Sequence, residues 1–251
     1  MMKRMAPALG FFLLVTCVLQ VLVKQNIIAE TLIPAPETIV KTLIELKTDY
    51  VTSFLQTLTN TLSGWILSIL FGTTLAILFS LSSLLKRAIL PFAVFFQTVP
   101  IIAVAPLLVI YFGFGAPTVI ASSFIVSIFP IIANTLMGLE SVSANQLDLF
   151  RVYRASSWQT LWKLKLPAAY SYIYSGLKIS AGLSIIGSIA GEFVAGGGLG
   201  AMIDAARTQQ RVDIVFGALI LLSVMGLLMI GALTLSHRLL QSRRPYSTGD
   251  L

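Results

Sequence analysis

Long apolar runs separated by short polar segments dominate this chain. The runs cover about residues 6–23, 54–80, 88–112, 117–139, 171–191 and 214–235. A helix needs about 20 apolar residues to cross a bilayer. Only helices or closed barrels satisfy their backbone inside lipid, and these continuous runs are helical. The pattern predicts an all-α, polytopic integral membrane protein of about six transmembrane helices. Residues 1–251 form a single transmembrane domain, with no soluble domain, long linker or internal repeat. The opening "MMKRMAPALGFFLLVTCVLQ" has Lys3 and Arg4 before an apolar core, as a signal peptide does. Thr16 is large for the position before Cys17, so the expectation is an uncleaved first helix.

Polar residues inside the runs fall on helical faces. Asn60, Gly64, Ser68 and Gly72 recur at steps of four, and Gly176, Ser180, Ser184, Gly187 and Gly191 form a second stripe. Small residues let another helix approach closely. Ser123, Ser127, Pro130 and Asn134 lie on one side of the fourth run. Such faces serve either plain packing or a hydrated path. The third run contains "QTVPIIAVAPLLVIYFGFG", where Pro100 and Pro106 each remove a helix hydrogen bond and predict a bent helix. The candidate pathway residues are Gln97, Pro100, Ser127, Asn134 and Glu192. Lys178, about two turns from a helix end, either snorkels to the interface or contacts substrate. In "GEFVAGGGLG", Gly196, Gly197, Gly198 and Gly200 permit an irregular backbone, expected to be a mobile rim or gate.

Composition and charge narrow the classes further. Hydrophobic residues make up 57% of the chain and charged residues 11%, against about 25% charged in a soluble domain. One Cys and one His exclude disulfide frameworks and Cys/His metal sites. The net charge of +7 reads as basic cytoplasmic loops rather than nucleic-acid binding. With the N-terminus inside, the inner segments hold Lys3, Arg4, Lys86, Arg87, Arg151, Arg154, Lys163, Lys165, Arg238, Arg243 and Arg244. The outer segments hold only Lys24, Lys41, Lys47, Arg207 and Arg211. The positive-inside rule puts both termini in the cytoplasm. Outside, Pro34 and Pro36 break the chain. From Thr38, apolar Ile39, Leu43, Ile44 and Leu46 predict a short amphipathic surface helix.

The longest inner loop, about 141–170, is neither apolar nor featureless. "NQLDLFRVY" predicts one short helix and a turn follows at Ala155. Ser156 with Gln159 matches a capping box that starts a second short helix. Trp158, Leu161 and Trp162 fall on one face of it, away from Lys163 and Lys165. Pro167 is expected to end it. That apolar face needs either the membrane surface or a soluble partner to cover it.

Counting back from Leu166-Pro167, Leu164 stands two before the Leu, Arg154 ten further back, and Asp148, Leu149 and Phe150 lead the stretch. This spacing resembles the EAA loop of permease subunits in binding-protein-dependent ABC importers. There the order is Glu-Ala-Ala, three residues, Gly, nine residues, an aliphatic residue, one residue and Leu-Pro. Asp148 keeps the acid; Arg154 departs from the Gly that eases the turn. "LIPAPETIVKTL", "TLTNTLSGWILSILFGTTLAIL", "VPIIAVAPLLVIYFGFG", "FPIIANTLMGLESV", "SGLKIS" and "GLGAMI" resemble, in order, the nitrate, sulfonate and taurine branch of that family. The resemblance implies a homodimer of this chain, two copies of an ATP-binding subunit beneath it and a solute-binding protein above. It also implies ATPase coupling through Asp148, Arg151, Arg154, Ala155, Ser156, Trp158, Leu161, Trp162, Leu164, Leu166 and Pro167. The chain itself is expected to have no catalytic residue, metal or cofactor. ATP hydrolysis belongs to the partner. The implied solute is a small anion, such as a sulfonate, nitrate or taurine, or a pyrimidine-type vitamin precursor. A secondary transporter without an ATPase partner is the alternative, although internal repeats and mid-membrane ionisable residues are not evident. A membrane enzyme is third, since no nucleophile motif or paired carboxylates occur in the runs.

Overall fold

The structure is a computed structural model that describes residues 2–241. Arg243 and Arg244, part of the charge asymmetry above, lie outside the described residues. Among the described residues there are helices and no strand. In order they are α1 (Met2–Lys24), α2 (Pro36–Glu45), α3 (Lys47–Leu81), α4 (Ser83–Thr98), α5 (Ile101–Phe112), α6 (Ala116–Glu140), α7 (Ala144–Val152), α8 (Ser157–Thr160), α9 (Leu166–Ala195), α10 (Gly198–Thr208) and α11 (Val212–Gln241). A π-helical turn, Leu161–Lys165, joins α8 to α9.

Four stretches are long and apolar enough to cross a membrane: α3, α6, Ser157–Ala195 and α11. Leu14–Lys24 and α5 are shorter apolar helices. The predicted third span is therefore not one bent helix. It is split, because Pro100 sits in extended conformation (φ −60°, ψ 121°) ahead of α5. Pro106 and Pro91, by contrast, are carried inside α5 and α4.

At the centre, α6 is clasped between α3 and α9, and the small-residue stripes explain why. A Cβ on Gly64 of α3 would stand 2.6 Å from the Ser123 Cβ and 2.7 Å from the Ile120 carbonyl oxygen. On α9, a Cβ on Gly187 would stand 2.8 Å from the Ser122 carbonyl oxygen. Only bare backbone allows both approaches. Hydroxyls then stitch the seams. The Ser68 and Ser127 Oγ atoms are 2.7 Å apart, and Ser123 Oγ donates to the Ser184 carbonyl at 3.0 Å. Thr61 Oγ1 donates to Ser188 Oγ at 2.8 Å, linking α3 directly to α9. In this structure the stripes lie packed against neighbouring helices.

The remaining helices lean on this core. Ala181, Met225 and Met229 bury together, joining α9 to α11, with Trp65 of α3 against them. Trp65 Nε1 donates to Ser180 Oγ at 2.8 Å. The predicted amphipathic helix is α2, which starts at Pro36, where the fixed φ of proline suits a first turn. Ile39 and Thr42 are buried, and Leu43 and Leu46 pack half-buried against the Tyr50 cluster, whereas Ile44 is exposed. Thr42 Oγ1 donates to Asp213 Oδ2 at 2.7 Å and fastens α2 to α11. Glu37 pairs with Lys24 at 2.9 Å. That hydrogen bond and charge hold its carboxyl below the usual carboxylate range.

Candidate functional site

The loop between α6 and α9 is built from local signals. Ser143 accepts from the Gln146 N–H, and the Gln146 side chain accepts from the Ser143 N–H, so a capping box starts α7. A second capping box, Ser156 with Gln159, starts α8, as the spacing predicts. Between them, α7 ends in a Schellman turn. The Ala155 N–H donates to the Phe150 carbonyl, and the Arg154 N–H to that of Arg151, each at 2.9 Å. The residue after such a helix end must be left-handed, and Arg154 is, with φ 51°. The turn geometry is the one a glycine would adopt. Arg154 adopts it at a cost, since left-handed backbone disfavours a Cβ by roughly 1–2 kcal/mol.

Pro167 does not end the second helix. The chain runs on helically from Ser157 to Ala195. Proline lacks an N–H and its ring collides with the carbonyl four residues back. The π turn at Leu161–Lys165 widens the helix just before it, and the Leu166 N–H reaches back to the Leu161 carbonyl. This relieves the collision without a break.

The three-residue apolar face also divides. Leu161 is 1% exposed and packs against Leu139 and Ala169, with Ile77, Leu166 and Ile173 around them. It anchors the loop to the bundle and does not share the outward face. Trp158 and Trp162 are 61% and 56% exposed. Their rings meet edge to face with centroids 5.8 Å apart. Asp148 and Arg151 are exposed and paired at 2.8 Å. Arg154 and Ser156 are exposed, while Ala155, Leu164 and Leu166 are half-buried and Pro167 is exposed. Exposed Leu149 and Val152 on α7 and Tyr153 at its C-cap carry an apolar patch that the sequence reading did not single out. Their spacing of three and one places them on one helical face, a signal present in "LFRVY".

At the opposite end of α9, the glycine loop is held by side chains of α3 and α9. Gly196, Gly197 and Gly198 all have positive φ. They bring the start of α10 against α3 and α9. The first three N–H groups of α10 are each taken by a side chain. Gly198 donates to Gln56 Oε1 at 3.0 Å, Leu199 to Thr57 Oγ1 at 2.8 Å and Gly200 to Glu192 Oε2 at 2.8 Å. Thr57 Oγ1 in turn donates to the same Glu192 oxygen at 3.0 Å. A carboxylate at a helix N-terminus meets the positive end of the dipole. Glu192 is fully buried, and through Oε2 it caps α10 and links three helices.

Comparison with known proteins decides what this architecture belongs to. The family described as "Binding-protein-dependent transport system inner membrane component" matches residues 68–244. The chain belongs to this family. It is 35% identical over 181 residues to a probable ABC transporter permease protein of Haemophilus influenzae, covering 71% of this chain and 74% of that one. It is 33% identical over 204 residues to the formylaminopyrimidine transport permease protein ThiX of Halalkalibacterium halodurans, covering 80% and 82%. The putative aliphatic sulfonates transport permease protein SsuC of Bacillus subtilis is 30% identical over 231 residues, covering 90% and 84%. In fold, the chain resembles an inward-facing MetNI methionine ABC transporter with a TM-score of 0.67 and 18% identity, over 78% of this chain and 96% of that one.

The protein is therefore a multi-pass inner-membrane permease subunit of an ABC importer. Membership implies an ATP-binding subunit and a solute-binding protein as partners, and it sets the secondary-transporter alternative aside. Within this permease the predicted pathway residues do not come together. Ser127 is fully buried in the α3–α6 seam. Asn134 is half-buried between α6 and α9, its Nδ2 donating to the Pro130 carbonyl at 2.8 Å. A Cβ on Gly176 would sit 2.9 Å from its Cβ. Gln97 and Pro100 are exposed at the α4–α5 break. Lys178 is exposed on α9.

Proposed function

We propose that this permease imports a small solute, driven by ATP hydrolysis on two copies of a separate subunit that dock on the α7–α8 loop of a homodimer. The observation that carries the reading is the exposed Trp158–Trp162 pair on a loop anchored through buried Leu161. Two bare tryptophans at the loop end of the long Ser157–Ala195 stretch need a groove to fill, and buried Trp is a frequent interface hot spot. Arg154 and the Asp148–Arg151 pair form a polar rim beside them. Because α8 runs without a break into α9, a displacement of the docked loop passes along one rigid rod to the α10 cap at its far end. The loop and both termini lie in the cytoplasm on this reading. Gln97 and Pro100, at the break between α4 and α5, face the pathway between the two copies.

The solute is an inorganic or organic anion of the nitrate or sulfonate kind, or a pyrimidine-type vitamin precursor. The names of the related permeases from Bacillus subtilis and Halalkalibacterium halodurans support these classes. A direct binding assay on the cognate solute-binding protein decides among them; failure to bind any of them removes the solute assignment. Cysteine labelling of intact cells, in a background lacking Cys17, tests the orientation: position 154 is expected to be protected and position 207 labelled. External labelling at 154 overturns the coupling role.

A further inference from the structure

The end of the bundle that carries the α7–α8 loop also carries a cavity of about 830 Å³ that the transport roles above do not use. It lies where α3 ends at Leu81 and α4 begins at Ser83, with Ser82 the single residue between them. Lys86 and Arg87 stand on its lining beside Glu140, and Leu81, Leu90 and Val94 supply apolar wall. Lys86 Nζ meets both Glu140 carboxylate oxygens, at 2.6 and 2.8 Å. Arg87 has no carboxylate partner among the described residues. Lys165 Nζ reaches the same place, donating to Ser80 Oγ at 3.2 Å, and Ser80 is also on the lining. Three cations against one carboxylate leave two positive charges uncompensated.

The aliphatic wall decides which anion fits. A free inorganic anion uses the cations and leaves Leu90 and Val94 idle. An amphiphile with a negative head uses both halves. The cavity also sits at the end of α3, a helix long and apolar enough to cross a membrane, where headgroups are found. We propose that it binds the headgroup of an anionic phospholipid from the leaflet on the loop side. The phosphate pairs with Arg87, with Lys165 and the Glu140-bound Lys86 beside it, and the upper acyl chain lies along Leu90 and Val94. The site touches both roots of the α7–α8 loop, because Glu140 is the last residue of α6 and Lys165 the last of the π turn. The lipid therefore steadies the loop from beneath.

This inference rests on α3 being a membrane helix, not on which face is cytoplasmic. A reversed orientation moves the site to the other leaflet and leaves the binding results below unchanged. The full chain, purified in detergent, is titrated by native mass spectrometry with phosphatidylglycerol, phosphatidylcholine of the same acyl chains, and inorganic phosphate. Phosphatidylglycerol is expected to bind at least about fivefold more tightly than phosphatidylcholine. Arg87→Ala is expected to remove about fivefold of that affinity, equivalent to about 1 kcal/mol, and to leave phosphatidylcholine unchanged. Lys178→Ala, an exposed cation elsewhere on α9, is expected to leave both unchanged. Equal affinity for the two lipids overturns the proposal, as does an Arg87→Ala variant that behaves like Lys178→Ala. Complete displacement of phosphatidylglycerol by millimolar phosphate makes the site one for a free anion. Should Arg87→Ala not fold, a salt titration of the unaltered chain serves: binding that does not weaken with salt refutes the charge pairing.

Discussion

Trp158 of α8 and Leu161, which opens the π turn after it, stand three residues apart and are expected to fail in opposite ways. Leu161 is 1% exposed and is surrounded by Leu139, Ala169, Ile77, Leu166 and Ile173. Truncation to Ala removes three carbons from a closed cluster. Leu→Ala changes at such sites cost about 2–5 kcal/mol, combining lost transfer energy with the cavity left behind. The cluster is the anchor of the loop, so the loss is expected as a lower melting temperature of the purified permease. Trp158 is 61% exposed, and its ring meets only Trp162 among the aromatic residues described. Trp158→Ala is expected to leave the melting temperature of the permease alone almost unchanged. Its effect is on the ATP-binding subunit. A hot-spot Trp contributes about 2 kcal/mol or more, which is roughly a thirtyfold loss of affinity. The assay pairs a thermal-shift measurement on each variant with quantitative copurification of the ATP-binding subunit. If Leu161→Ala melts like the unaltered chain while Trp158→Ala melts early, the inward and outward assignments are reversed. If Trp158→Ala and Trp162→Ala both retain full ATPase binding and transport, the tryptophans are only a surface anchor.

Three further outcomes are expected. Arg154→Gly relieves a left-handed residue at φ 51°. It should stabilise the loop by about 1 kcal/mol after the greater unfolded-state freedom of Gly is set against it; a lower melting temperature contradicts the Schellman assignment. Glu192→Gln keeps an acceptor for the Gly200 N–H and Thr57 and should assemble and transport, whereas Glu192→Ala leaves these buried donors unpaired at about 1–3 kcal/mol each; equal loss of uptake in both variants, with unchanged melting, would show that the carboxylate acts on solute instead. Gly187→Leu forces a side chain into the Ser122 backbone and should abolish folded yield, since backbone cannot yield as a side-chain tip does; normal expression would mean that α6 and α9 are not in this register.

What adjacent residues dictate was legible without any fold. Apolar length announced membrane helices, Ser156 with Gln159 announced a helix start, and glycines at steps of four announced close helix approach. Each of these signals acts within one or two turns of backbone, so neighbours in the chain carry it. Other features were decided only by tertiary contact. Leu161 and Trp158 look alike as apolar positions, and only the distant Leu139 and Ala169 make one of them a core residue. Pro100 and Pro106 both read as kinks, yet only Pro100 opens a break. That the polar stripes pack as they do was seen only with α6 filling the space between α3 and α9. The glycine loop read as mobile because the side chains that hold it, Gln56 and Thr57, stand more than 130 positions earlier in the chain. A local pattern shows that a face needs covering. What covers it depends on residues brought together only when the helices pack.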